Sequence, residues 1–89
     1  MVQYPDTRLD ASFAALADGT RRGVLEQLGR SESSITQLAE QFQMTLTGMR
    51  KHVGVLEDAG FVATHKVGRG RYWRLSARRL DEVVAWVDS

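Results

Sequence analysis

The sequence predicts a mainly α-helical domain that carries one small β-hairpin. Apolar residues recur at helical spacing in five separate segments. Residues 61–67 and 71–75 instead alternate and are rich in Val, Tyr and Trp, which favour extended backbone. The 89 residues show no internal repeat and no linker, so they fit one domain, 1–89.

Leu9, Phe13, Leu16 and Ala17 give a short amphipathic helix over 9–17. Pro5, the single proline, precedes it in a segment expected to fray. Asp18 and Gly19 break the helix, and Asp18 is placed to cap a second helix over 19–28 that buries Val24, Leu25 and Leu28. Gly29 is expected to end it, and residues 30–34 read as polar loop. Ile35 stands alone before a helix over 36–42, whose inward stripe is Leu38, Ala39 and Phe42. Gln43 and Met44 form a short turn, and Thr45 is a good N-cap for a helix over 46–58. Two helices that close in sequence indicate a helix-turn-helix.

In the 46–58 helix, Leu46, Met49, Val53 and Leu56 share one face and are expected to be core. Lys51 points away from that face, together with Thr47, Gly48, Gly54 and Val55, and Arg50 flanks it. Gly60 suits a C-cap. A tight connection through Gly68, Arg69 and Gly70 joins the two strands. Leu80, Val83, Val84 and Val87 then form an apolar stripe on a terminal helix, with Trp86 beside it.

The net charge is only +1, but the charge is unevenly spread. Residues 1–43 carry four arginines against six acids, a net of −2. Residues 44–79 carry eight basic side chains against two acids, a net of +6, and residues 80–89 a net of −3. A positive excess confined to one segment is the footprint of a polyanion binder.

Other chemistry has little support. There is no cysteine, hence no disulfide, thiolate metal site or thiol nucleophile. The two histidines, His52 and His65, are thirteen residues apart and, Asp58 aside, lack an acidic neighbour at ligand spacing on the same element, so no metal and no cofactor is expected. No HExxH, phosphate loop or nucleophile elbow occurs, and Ser31, Ser33 and Ser34 have no base nearby, so no catalytic residue is assigned and an enzyme is not expected. No apolar run is long enough to span a membrane and no signal segment opens the chain, which leads to the expectation of a cytoplasmic protein.

Double-stranded DNA accounts for more of these features than any other partner. In a helix-turn-helix the second helix enters the major groove with its N-terminal residues at base edges. Here those residues are Thr45, Thr47, Gly48, Arg50 and Lys51. Lys66, Arg69 and Arg71 on the hairpin are placed for phosphate or minor-groove contact. A module that docks another protein, or a ligand-sensing regulator, would use the same fold, and the sequence defines no small-molecule effector.

At this point a family resemblance appears. LADGTRRGVLEQL resembles the "LADPTRRxIL" helix of the ArsR family of winged helix-turn-helix repressors. ITQLAEQFQMTLTGMRKHVGVLEDAGFV is similar to that family's helix-turn-helix, and KVGRGRYWRL to its wing; together the matches span about residues 13–76. The resemblance implies a homodimer that binds an imperfect inverted repeat and usually represses a gene. It also implies a dimer interface on the first and last helices, here Phe13, Leu16, Leu80, Val83, Val84 and Val87, stripes that periodicity leaves without an obvious partner within the chain. Gly19 stands where the family often has Pro, and Arg50 where it often has Ser. The cysteine motif of the metal sensors is absent from the 36–42 helix, and the last helix has no histidine.

Overall fold

The computed structural model describes residues 7–89, and the reading of Pro5 falls outside them. Five helices and one hairpin follow in the order α1 (Thr7–Leu16), α2 (Gly19–Arg30), α3 (Ile35–Gln41), α4 (Leu46–Asp58), β1 (Val62–Val67), β2 (Gly70–Leu75) and α5 (Ala77–Asp88). β1 and β2 pair antiparallel, with Val62 opposite Leu75 and Val67 opposite Gly70.

Local chemistry sets the boundaries. The Asp18 carboxylate accepts from the Arg21 backbone N–H and caps α2. Ser34 and Gln37 form a reciprocal capping box on α3. The Thr45 hydroxyl accepts from Gly48 N–H at 3.0 Å and starts α4. α4 ends with Gly60 at φ 86°, where Gly60 N–H donates to the Glu57 carbonyl and Phe61 N–H to the Leu56 carbonyl. α3 closes in the same way through Gln43, at φ 53°. Gly68 at φ 61° makes the two-residue hairpin turn.

The core gathers Val24, Leu28, Leu38, Met49, Val53, Leu56, Phe61 and Val62, which burial of one face from each helix brings together. Phe61 follows the α4 cap directly and is wholly buried, so the cap aims the chain back through the core before the hairpin begins.

Several expectations need correction. α2 runs past Gly29 to Arg30, because Gly29 keeps a negative φ and Ser31 N–H still reaches the Gln27 carbonyl. Ile35 is the first residue of α3 and packs on the core rather than standing alone. Ser33 is not free loop: its N–H and carbonyl both bond Trp73, which adds a one-residue third strand beside β2. Leu46 is not core. It is 42% exposed, whereas Met49, Val53 and Leu56 are at most 1% exposed, and it is absent from the apolar residues packed on the core.

Candidate nucleic-acid interface

α4 has three distinct sides. Met49, Val53 and Leu56 face the core. Thr47 and Lys51, one turn apart, are exposed opposite that face, with Val55 beyond them. Thr45 and Arg50 are also exposed, and Gly48 is half-exposed. All five residues assigned to the start of this helix therefore reach the surface.

The two flanks of α4 contact different elements. On one flank His52 meets the junction of α1 and α2. Its Nδ1 lies 3.4 Å from Arg21 Nη1 and 3.8 Å from Asp18 Oδ2. The backbone N–H of Arg21 holds the Asp18 carboxyl below its ordinary value, by stabilising the charged form. Arg21 also donates to the Ala15 and Ala14 carbonyls, and Arg22 to the Leu16 carbonyl at 2.7 Å. These are the last carbonyls of α1, which the helix cannot satisfy itself. Both arginines therefore close α1 and hold it to α2. Nothing local in the sequence reveals a carbonyl acceptor on a neighbouring helix.

On the other flank α4 faces the hairpin. Side chains alternate along a strand, so Val62, Thr64 and Lys66 share a face with Leu75, Trp73 and Arg71. At the base of the hairpin this face is core; farther out it turns toward α4. Arg50, Gly54 and Glu57 of α4, Arg71 and Trp73 of β2, and Ile35 line a cleft of about 500 Å³ between helix and hairpin. Arg71 Nη1 donates to Thr64 Oγ1 at 2.8 Å, so its guanidinium lies along the hairpin at the cleft rather than at the tip. The tip keeps Lys66 and Arg69 exposed. Lys66 sits directly opposite Arg71, a like-charge pair that an anion would relieve. The far side of the hairpin is tied down elsewhere: His65 Nε2 lies 2.9 Å from the Glu32 carboxylate of the α2–α3 loop.

A helix-turn-helix domain family matches residues 16–65 of the chain. The HTH-type transcriptional regulator YuzN of Bacillus subtilis (strain 168) is 38% identical over 89% of this chain and 95% of its own length. The crystal structure of the ArsR family transcriptional regulator RHA00566 is 42% identical with a TM-score of 0.84, covering 99% of this chain and 90% of that one. The chain belongs to the ArsR family. It is a transcriptional regulator with a winged helix-turn-helix DNA-binding domain, in which α3 and α4 are the helix-turn-helix and β1–β2 the wing. The transcriptional repressor SdpR of Bacillus subtilis (strain 168) is 27% identical over 84% of this chain and 83% of its own. A homodimeric winged helix-turn-helix domain from Mycobacterium bovis, solved by NMR, shares the fold at a TM-score of 0.79 and 23% identity over 99% of this chain and 87% of its own.

The residues assigned to a dimer interface divide in the regulator. Val83 is 8% exposed, and Leu16 and Leu80 pack on the core, so these three have partners within the chain after all. Phe13, Val84 and Val87 stay at least 40% exposed, and Trp86 joins them at 56%. The Phe13 and Trp86 rings meet edge to face, with centroids 5.5 Å apart, and join α1 to α5. A helical stripe identifies an apolar side; it does not tell which members the chain itself covers. Among the described residues, no group of three or more acidic or histidine side chains is arranged to hold a metal ion, and no helix is long and apolar enough to cross a membrane.

Proposed function

We propose that the regulator is a homodimeric repressor that binds an inverted-repeat operator, with α4 in the major groove and the wing on the flanking backbone. One observation carries the reading: one cation of α4, Arg50, and one of the wing, Arg71, line the same cleft. The two guanidinium groups lie on either wall, with Glu57 beside Arg50, and cations on a helix and a hairpin that share a cleft suit a phosphate backbone. In this reading Thr45, Thr47, Gly48 and Lys51 approach base edges, Arg50 and Arg71 hold phosphate between helix and wing, and Lys66 and Arg69 contact backbone beyond it. Repression follows from occupancy of a promoter. The relative named a repressor and the homodimeric neighbour support these finer points, and the exposed Phe13, Val84, Trp86 and Val87 of α1 and α5 supply apolar surface for dimer formation. A regulator acting on a bacterial promoter works in the cytoplasm.

Mobility shift of the chain on duplex DNA from upstream of its own gene, titrated with salt, tests this. Binding should weaken steeply with salt, because affinity comes from displaced counterions. Arg69→Ala should weaken binding to every sequence and flatten the log–log salt slope by about one. No shift at any salt, with capture of a partner protein through α4 instead, would replace the reading with a protein-docking module.

A further inference from the structure

We propose that Leu46 is a specificity-determining residue that reads the 5-methyl group of a thymine in each half-site. The inference rests on the reading of α4 as the groove-facing helix.

Leu46 belongs by spacing to the core stripe of α4, but it is 42% exposed, whereas the other members are at most 1% exposed. It is the first residue of α4, immediately after the Thr45 cap, and one turn before Arg50 on the same flank. The first turn of a recognition helix is the part that reaches base edges. The large exposed apolar side chains of the described residues fall into two groups. Phe13, Val84, Trp86 and Val87 lie on α1 and α5; Leu46, Val55 and Val67 lie on α4 and the wing, among the cations. An apolar group in a basic surface matches duplex DNA, which presents one apolar group in its major groove, the thymine methyl. Val55 lies about 13 Å farther along the helix. It lies in the last turns of α4, away from the first turn that reaches base edges. Val67 lies on the wing near the hairpin turn, beyond the cleft. Leu46 is therefore the apolar residue placed for a base edge, in the first turn of α4, next to Thr47 in sequence and one turn before Arg50.

The test needs a preferred duplex, obtained by selecting bound sequences from random DNA with the full chain. Each thymine of that duplex is then replaced in turn by deoxyuridine, which removes the methyl alone. For the wild-type chain, one thymine per half-site should lose about fourfold in affinity, the effect of exposing one buried methyl. Leu46→Ala and Leu46→Gln should each bind the thymine and uracil forms of that position equally. Because Leu46 is off the core, both variants should keep the wild-type helical content and melting temperature. Variants that retain the thymine preference, or a selected site in which no thymine is sensitive, would overturn the assignment while leaving DNA recognition intact. A selection that returns no preferred sequence would overturn the DNA reading, and this inference with it.

Discussion

Asp18 joins three segments with one carboxylate. It caps α2 through the Arg21 N–H and lies beside the His52 ring of α4, while Arg21 reaches back to the end of α1. Its folded-state pKa lies below the ordinary 3.8, so the charged form stabilises the fold. That contribution is complete above about pH 3.8, the unfolded value, and is lost as pH falls through the lower folded value. Asp18→Asn keeps a capping oxygen but not the charge. Its stability should therefore depend less on pH below 4 than that of the wild type, as read by urea denaturation across that range. Gln43 offers a second test. It holds the left-handed position between α3 and α4, a conformation that disfavours side chains with a Cβ. Gln43→Gly should raise stability by about 0.5–1 kcal/mol in thermal melts, since the relief of strain exceeds the added freedom of the unfolded chain. The Asp18 cap was legible in the sequence, because a short acid before a helix has few other uses. The left-handed Gln43 was not, because no residue type marked it.

Among the elements, α4 and the wing have to satisfy both stability and recognition. Gly54 illustrates the conflict. A Cβ built there meets nothing within 4 Å, so Ala is sterically free. Gly54→Ala should stabilise α4 by about 1 kcal/mol through helix propensity. If the cleft beside Arg50 and Arg71 receives the DNA backbone, the same change should weaken DNA binding, and paired melting and binding titrations would show the two effects moving in opposite directions. A gain in stability with unchanged affinity would place the DNA farther from this flank. The order of helices and hairpin was readable from periodicity and from Asp18, Thr45 and Gly60. The wing cations were readable as charge, but not their division into a tip, Lys66 and Arg69, and a cleft residue, Arg71. That division depends on the Arg71 bond to Thr64, a diagonal cross-strand contact that follows only once the register is fixed. Leu46 was misplaced because a helical stripe carries no information about where the neighbouring helices end.

In the whole molecule, two surfaces lie on different elements. The basic one is built on α4 and the wing, and the apolar one on α1 and α5. A repressor of a two-fold operator needs both, since one domain of this size covers a single half-site. Trp86→Glu puts a charge beside Phe13 on the exposed apolar surface of α1 and α5, where Trp86 is 56% exposed. It should leave the core intact, convert a dimer to a monomer in sedimentation, and lower affinity for a two-half-site duplex to about that for a single half-site. A monomeric wild type, or a dimer indifferent to this charge, would move the interface elsewhere.

The central claim is that α4 and the wing of two copies read one symmetric DNA site. Selection of bound duplexes from a random pool addresses it most directly. Two copies on one symmetric site should enrich an inverted repeat whose half-site centres lie one helical turn, roughly 10–10.5 base pairs, or a multiple of it apart. Enrichment of no sequence, or of a single unrepeated site bound by one copy, would contradict it.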